Sequence, residues 1–512
     1  MNPEARFGSI LFDPPLDRGE RDDPSMLSDL NLDQVFAAVV AGRDEHDLMP
    51  FFRAPLRDVR AVEYRHEAQR DLEDKAVSHA VAEFADGMRE GRKHLVQMAK
   101  LRYRYQKEQW FLDATSVYCQ AVVALNDALA VTGLRSRGFL AFRRHLTEYT
   151  GSSAFASLVA DIATMKRLLD EVRYCINIKG NRVKVTRYGG EDDYGAEVQK
   201  TFAKFAENEV KDYRIGFRSQ PEMNHVEEHI LELVARLFPE VFQALGEFCA
   251  RHERYIDKTI RTFDREVQFY VAYRDFIAPM KAAGLEFCYP AVSAGSKKLT
   301  VGKSFDLALA AKLMPDASAV VRNDFHLNGP ERIIVVTGPN HGGKTTFART
   351  FGQLYYLASL GLPVPAAEAS LFLPDRVFTH FEREEDLATL RGKFEDELVR
   401  IRGVLDEATG DSVLVMNESF ASTTLRDALF VGERVLGQMT GLGLLGVYVT
   451  FVDELASLNE ACVSMVAMVV PDNPAMRTYE LVRKPADGLA YAAAIAGKYG
   501  LTYRQLKERL AS

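Results

Sequence analysis

A glycine-rich stretch of ten residues, TGPNHGGKTT at 337–346, constrains the fold of this chain more than any other feature. The residues that match the spacing G-x-x-x-x-G-K-[ST] are Gly338, Gly343, Lys344 and Thr345. The apolar run at 333–336 predicts a buried strand before the loop, and the residues after it continue as a helix. A loop between a strand and a helix N-terminus is the context in which backbone N–H groups cradle phosphate. The pattern therefore predicts an α/β domain built around a phosphate-binding loop.

The residue types in this loop predict its chemistry. Glycines allow backbone N–H groups to turn toward phosphate oxygens without a side chain in the way. Lys344 would reach the β- and γ-phosphates of ATP, and the hydroxyl of Thr345 would hold Mg²⁺. The residues expected to contact the nucleotide are Gly338, Pro339, Asn340, His341, Gly342, Gly343, Lys344, Thr345 and Thr346. The alternative is a glycine-rich loop that arose by chance.

Composition narrows the class of protein. Of the 512 residues 47% are hydrophobic and 27% charged, which is ordinary for globular proteins, and the length predicts more than one domain. The net charge of −8 argues against a uniformly basic nucleic-acid binder but leaves room for a local basic patch. The scattered cysteines predict reduced thiols. We expect a cytoplasmic protein without membrane contact, since no apolar stretch reaches about 18 residues and no signal-peptide pattern is present.

Periodicity predicts a multidomain fold of the α plus α/β class. Residues 1–29 are rich in proline and charge and predict a flexible tail. Residues 30–300 show helical spacing of apolar positions, with a long helix expected across 61–107. Residues 301–512 alternate short apolar runs with helical stretches, which indicates βαβ units and a mostly parallel sheet. A last helix is expected at 490–510.

One segment of the helical part predicts a β-hairpin. Residues 174–188 alternate apolar and polar positions on both sides of Gly180 and Asn181. The cations of this segment are Lys179, Arg182, Lys184 and Arg187.

A second strand is expected to complete the phosphate site. The segment SVLVMNE at 412–418 predicts a buried strand that ends in Asn417 and Glu418. Glu418 is placed to polarise an attacking water as a general base. Asn417 stands where a carboxylate is expected beside Mg²⁺, and an uncharged amide would hold the metal less tightly. The alternative is that Glu418 only caps the strand.

These residues carry a resemblance to a known family. The loop at 337–346 resembles TGPNMGGKST, the phosphate loop of the MutS family of DNA mismatch repair ATPases, and its Pro-Asn pair is more specific than a generic phosphate loop. Further similar pieces are ND at 323–324, GLPVPA at 361–366, FEDEL at 394–398, ASTTLRD at 421–427 and RAPLRD at 53–58 with Arg65 and Leu72. The resemblance covers roughly residues 30–512.

The resemblance implies a helical core and lever domain at 30–300, a DNA-contacting clamp at 174–218 that is short for the family, and an ABC-type P-loop ATPase domain at 301–512. It implies a homodimer that holds double-stranded or branched DNA by its backbone, and it adds Asp427 to the nucleotide-binding residues. The four cations of the hairpin would then bind DNA phosphates, or they are part of an ordinary solvated surface, and the sequence leaves both open. Because only about 30 residues precede the core, we expect a short member without the mismatch-recognition and connector domains.

The chain departs from the family pattern at three positions. Asn417 replaces an aspartate, Phe451 stands where a γ-phosphate-sensing histidine is expected, and Gly392-Lys393 replaces Ser-Thr in the signature loop. Each change weakens a contact to Mg²⁺ or to the γ-phosphate, so we expect tight nucleotide binding and weak ATPase activity. Lys393 is expected to replace the lost serine in part, by reaching the γ-phosphate across a dimer.

Two functions follow from these expectations. The first is an ATP-dependent DNA-binding protein that uses ATP binding and hydrolysis to switch a helical clamp. The second is a nucleotide-gated assembly or scaffold protein that kept the dimer switch and no longer binds mismatched DNA. The acidic composition and the small clamp make the second a credible alternative to the first.

Overall fold

A computed structural model describes residues 7–12, 24–180, 182–191, 223–383, 392–470, 473–486 and 507 of the chain. The chain divides into two compact units. The first comprises residues 1–7, 71–135 and 139–264, and the second comprises residues 8–70, 136–138 and 265–512. The division at residues 30 and 301 expected from the sequence stays a prediction, and residues 8–70 group with the C-terminal part. The helix expected at 490–510 lies outside the described residues, apart from Lys507.

The helices of the described residues lie in both units. They are α1 Pro24–Asp29, α2 Leu32–Val40, α3 Met49–Phe52, α4 Val59–Glu73, α5 Lys75–Lys100, α6 Arg104–Ala130, α7 Arg137–Thr150, α8 Ser153–Asp170, α9 His225–Leu237, α10 Pro239–Arg251, α11 Lys258–Ala282, α12 Leu307–Leu313, α13 Lys344–Ser359, α14 Lys393–Glu407 and α15 Leu425–Leu442. Short 3-10 turns lie at Asp44–His46, Ala317–Ala319 and Asp453–Ser457. None of these helices combines the length and the apolar character that a membrane span requires.

The strands form three sheets in the described residues. They are β1 Tyr174–Lys179, β2 Arg182–Arg187, β3 Ala291–Ser293, β4 Leu299–Ser304, β5 Asn323–Leu327, β6 Ile333–Thr337, β7 Glu368–Phe372, β8 Val377–Phe381, β9 Val413–Asn417, β10 Leu445–Val449, β11 Cys462–Val470 and β12 Asn473–Arg483. Helices and sheets are thus mixed in one chain, which confirms the predicted α plus α/β class at that level.

The first unit is built around the long helices α5 and α6, of 26 and 27 residues. The apolar positions of α5 recur every three or four residues, so one face of the helix is buried. Gly87 allows a close approach, because a Cβ atom there would lie 2.7 Å from the Cβ of Ala121. The single helix expected across 61–107 is wrong: Asp74 is extended and caps α5 through Ala76 N, which separates α5 from α4.

The second unit contains a six-stranded sheet in the order β12-β11-β6-β10-β9-β8 and a four-stranded sheet in the order β3-β7-β4-β5. In the larger sheet only β12 runs antiparallel to its neighbour. Every residue of β6, β9 and β10 is buried, as expected for central parallel strands covered on both faces. The carboxyl ends of β6 and β9 therefore point to the same edge of the sheet, where ligands bind in open α/β folds.

The N-terminal segment differs from the expected flexible tail. Ser9 Oγ and Ile10 N donate hydrogen bonds of 2.7 and 2.9 Å to one carboxylate oxygen of Glu266, and Ile10 and Leu11 are fully buried. Met26 and Leu27 of α1 are also buried. The tail prediction is therefore wrong for residues 8–12 and 24–29. Composition missed this packing because the carboxylate that holds the segment lies far along the chain.

Candidate functional site

The glycine-rich loop joins β6 to α13 and has a backbone that only glycine tolerates at key positions. Gly338 and Gly343 have φ values of 111° and 90°, in the left-handed region. A Cβ atom on Gly338 would lie 3.0 Å from the backbone N and O of Ala467, and one on Gly342 would lie 2.9 Å from the carbonyl oxygen of Pro339. The loop therefore leaves its inner side free of side chains, as a phosphate cradle needs.

Lys344 lies at the first position of α13 with its ammonium group turned into the loop. Its Nζ donates to the carbonyl oxygens of Gly338 and Pro339 at 3.0 and 3.3 Å, and to Asn340 Oδ1 at 3.0 Å. Burial lowers the pKa of Lys344, and the Glu418 carboxylate, 3.9 Å away, opposes that shift. Phosphate oxygens would be stronger acceptors than these neutral oxygens, so an incoming phosphate could replace them.

An open cleft of about 760 Å³ lies beside this loop. Its polar wall includes Asn340, His341, Lys344, Thr345, Thr346 and Glu418. Its apolar wall includes Phe305, Leu309, Leu313, Val320 and Val321. Clefts of this size and mixed character are typical of small-molecule and cofactor sites. The cleft thus brings together most of the loop residues predicted from the sequence and the predicted general base.

The end of β9 supplies the two residues predicted to act on metal and water. Glu418 follows the strand with φ 51°, its N–H donates to the carbonyl oxygen of Val449 at 2.9 Å, and its side chain is 38% exposed. Asn417 is buried, and its Oδ1 accepts no hydrogen bond from the described residues. A buried oxygen without a donor fits a ligand of Mg²⁺ or of its water. Thr345 lines the same cleft.

The donor set fits a metal that arrives with a nucleotide. No group of three or more His, Cys, Asp or Glu side chains that could hold a metal is found among the described residues. Mg²⁺ would therefore depend on phosphate oxygens and water in addition to Thr345 and Asn417.

Lys393 and Asp427 are not brought to the cleft. Lys393 Nζ forms an ion pair with Glu382, at the start of α14. Asp427 accepts a hydrogen bond of 2.7 Å from Thr424 Oγ1, and its own N–H donates to that hydroxyl at 3.2 Å, in the first turn of α15. Both residues belong to helix starts in this chain, and their predicted contact with nucleotide stays a prediction.

The structure adds a buried network that the sequence did not reveal. Glu397 of α14 is 1% exposed, and its Oε2 accepts a hydrogen bond of 3.0 Å from the N–H of Phe420. Burial raises the pKa of Glu397. Phe420 has φ 66° and lies two residues after Glu418, so the Glu397 carboxylate holds the segment that follows the predicted general base. The available signal was spacing, because Glu397 lies one helical turn before the buried Ile401.

His380 of β8 completes this network. Its Nε2 lies 3.1 Å from the carbonyl oxygen of Glu397, and its Nδ1 lies 2.8 Å from Ser419 Oγ. Because a carbonyl only accepts, Nε2 carries the proton and Nδ1 accepts from the serine hydroxyl. Burial lowers the pKa of His380 to about 4, so the ring is neutral near pH 7. The network fixes the residues directly after Glu418.

The predicted hairpin is present as strands β1 and β2. Ile178 pairs with Val183 and Lys179 pairs with Arg182. Because directly paired residues share a face and faces alternate along each strand, Lys179, Arg182 and Lys184 lie on one face of the ribbon. None of these three side chains forms a hydrogen bond or an ion pair with the described residues. Residues 192–218 of the predicted clamp, and Asn181, lie outside those residues.

Arg187 does not belong to this basic face. It pairs with Tyr174 on the apolar face of the hairpin. Its Nε donates to the carbonyl oxygen of Leu237 at 3.0 Å, and its guanidinium lies 4.6 Å from the ring centroid of Phe238. Glu240 lies 3.6 Å away as an ion-pair partner. Strand alternation therefore separates Arg187 from the other three cations with which the sequence groups it.

Comparisons with known proteins concern the C-terminal part. Residues 334–501 match the family model of MutS domain V. The chain is 33% identical over 216 residues to Endonuclease MutS2 of Thermus thermophilus, and this matched stretch covers 42% of this chain and 28% of that protein. It is 27% identical over 296 residues to the DNA mismatch repair protein MutS of Lachnoclostridium phytofermentans, which covers 55% of this chain and 30% of that protein. Each match thus spans less than a third of the relative's length.

Proposed function

The chain is a member of the MutS family, and from this premise we propose that it binds ATP with Mg²⁺ in the loop at 338–345 and uses the bound nucleotide to control contact with DNA. The observation that carries the proposal is the position of Lys344. Its ammonium is buried among loop oxygens, 3.9 Å from Glu418, at the wall of an open cleft.

The residues of this chain would divide the work as follows. Lys344 would leave the oxygens of Gly338, Pro339 and Asn340 and bind phosphate, while the loop N–H groups and the start of α13 orient it. Thr345 and Asn417 would hold Mg²⁺, which when bound neutralises phosphate charge. Glu418, held in place by the Glu397 network, would orient a water for attack.

We propose that hydrolysis is slow compared with binding. Asn417 brings no charge to the metal, and Phe451, whose side chain is half exposed, offers no hydrogen bond. Groups that stabilise charge developing in the transition state contribute mainly to turnover. The chain would therefore work chiefly as a nucleotide-binding switch.

The proposed DNA contact is the basic face of the hairpin. Lys179, Arg182 and Lys184 would sit on phosphates of a double-stranded or branched DNA, which gives affinity without reading sequence. In a homodimer of ABC type, Lys393 and Asp427 would face the partner's nucleotide. For Lys393 this requires that its ion pair with Glu382 opens first.

The experiment that tests this proposal measures DNA affinity in three nucleotide states. Duplex and branched DNA are titrated with the full chain, with ATP, with ADP and without nucleotide, each at several salt concentrations. We expect the DNA affinity with ATP to differ from that with ADP, and to fall steeply with salt. Equal DNA affinity in all three states would remove the switch from the proposal.

The second candidate function, a nucleotide-gated assembly protein, is favoured by the net charge of −8 and by the small number of cations on the basic face. It predicts no salt-dependent DNA binding. It also predicts that ATP changes the oligomeric state, which sedimentation velocity measures.

A further inference from the structure

Strand β12 departs from regular pairing next to the phosphate loop. Ala467 pairs with Leu481 and Val469 pairs with Arg477, so a two-residue step on β11 faces a four-residue step on β12. Tyr479, inside the longer step, has φ 61°. Such a bulge re-aims side chains and is common beside functional sites. We call residues 477–480 the β12 bulge.

The β12 bulge packs on the phosphate loop. Arg477 Nε donates to the carbonyl oxygen of Asn340 at 3.1 Å. Tyr479 lines the cleft, and its Cβ lies 3.6 Å from the position that a Cβ atom on Gly343 would take. The bulge is therefore a wall of the site already described, although its sequence matches no phosphate-binding pattern.

Three further hydrogen bonds fix the position of the bulge. Asn323 Nδ2 donates to the carbonyl oxygen of Tyr479 at 3.3 Å, and Leu481 N donates to Asn323 Oδ1 at 2.7 Å. Thr478 Oγ1 also donates to the carbonyl oxygen of Met468 at 3.2 Å. Arg477 is thus presented from a braced backbone.

We propose that Arg477 is an additional phosphate-binding residue, which contacts the terminal phosphate of ATP from within the same chain. Asn340 is the shared contact: its side chain accepts from Lys344 Nζ and its carbonyl accepts from Arg477. Two cations thus meet at one loop residue on the wall of the cleft. A guanidinium carries five N–H donors in a planar fork, which suits phosphate oxygens.

The electrostatics of the loop agree with this placement. Burial, and to a smaller extent the charge of Arg477, lower the pKa of Lys344. Two cations that repel each other are relieved by an anion that lies between them. The inference rests on the proposed nucleotide binding, and it gives this chain a cation near the phosphates where Phe451 and Asn417 supply none.

The test compares dissociation constants for ATP and ADP, both with Mg²⁺, in the wild type and in variants of the full chain. In Arg477→Gln a hydrogen-bond donor is kept and the charge is lost. We expect about a tenfold loss of ATP affinity, the magnitude of one charged hydrogen bond, and little change for ADP. Arg477→Lys should recover part of the preference for ATP.

The matched control is Arg483→Ala, on the same strand, because the guanidinium of Arg483 pairs with Glu331 and does not contact the phosphate loop. It should leave both dissociation constants unchanged. An equal loss for ATP and ADP in Arg477→Gln, or no loss, would overturn the proposal and leave Arg477 with a structural contact to the loop. A wild type that binds neither nucleotide would instead refute the proposed function itself.

Discussion

The glycine-rich loop and the hairpin of β1 and β2 are both clusters of residues that are close in sequence. Most of the predicted loop residues line one cleft, whereas the cations of the hairpin are divided between two faces. In the loop, the glycines force a backbone path that places oxygen atoms of Gly338 and Asn340 around the ammonium group of Lys344. In the hairpin, the strand period of two divides the cations, and Arg187 is bound by the turn between α9 and α10. Proximity in sequence predicts a site only when the backbone geometry is fixed with it.

The largest expected effect breaks the loop geometry. Gly338→Ala places a Cβ atom against the backbone of Ala467 and requires an alanine at φ 111°. Strain of about 3 kcal/mol would oppose the conformation that binds ATP, so the affinity for ATP should fall about 100-fold. Calorimetric titration measures this. The matched control is Gly437→Ala, where a Cβ atom meets nothing within 4 Å and affinity should not change. A loop that tolerates alanine at 338 would contradict the steric argument.

The second prediction separates the two kinds of hairpin cation. Changing Lys179, Arg182 and Lys184 together to glutamine should reduce the slope of log affinity for DNA against log salt by up to about 3, since each lost phosphate contact removes about one unit. Arg187→Ala should leave that slope unchanged and lower the free energy of unfolding instead. If Arg187→Ala instead reduces the slope by about one unit, as the loss of one phosphate contact would, the separation of the two faces does not affect DNA binding.

The third prediction concerns the network behind Glu418. Glu397→Ala leaves the buried N–H of Phe420 without an acceptor and should lower the free energy of unfolding by about 2 kcal/mol. It should also lower the rate of ATP turnover. Glu397→Gln keeps an acceptor oxygen and should retain most of both. Urea unfolding measures the effect on stability, and steady-state ATP hydrolysis together with nucleotide affinity gives the turnover per bound ATP. If this turnover is the same in Glu397→Ala as in the wild type, Glu397 does not position Glu418.

The smallest effect is a pH dependence from the same network. Burial lowers the pKa of His380 to about 4 in the folded chain, below its ordinary value of 6.5. The unfolded chain therefore takes up the proton first, so this contribution to stability is complete above pH 6.5 and is lost as the pH falls toward 4. Between pH 7 and 6 the loss should be roughly 0.7 kcal/mol. In urea unfolding, the stability of His380→Asn should depend less on pH than that of the wild type. An equal pH dependence would contradict a neutral buried ring.

The sequence predicted the elements whose chemistry is local. The loop at 337–346, the strand that ends at Asn417, and the hairpin around Gly180 follow from glycine spacing and from apolar periodicity within a few residues. It did not predict contacts set by distant partners. Arg187 depends on Leu237 and Phe238, and the burial of Ile10 depends on Glu266.

The β12 bulge shows the same limit at the site itself. Apolar alternation predicts that a strand exists, but a shift of register between Ala467 and Val469 leaves no mark in that pattern. Arg477 reaches Asn340 only because of the shift. Glu397 is a similar case: its spacing from Ile401 indicates the buried face of α14, but its hydrogen bond from the Phe420 N–H depends on a partner outside that helix.

The most direct test of the account is a calorimetric titration of magnesium-ATP into the wild type, Lys344→Ala and Lys281→Ala. Lys281 is an exposed lysine in the last turn of α11 and serves as the control for a lost charge. We predict saturable binding by the wild type and by Lys281→Ala, and loss of binding in a folded Lys344→Ala. No binding of ATP by the wild type, or equal binding by all three proteins, would contradict the account.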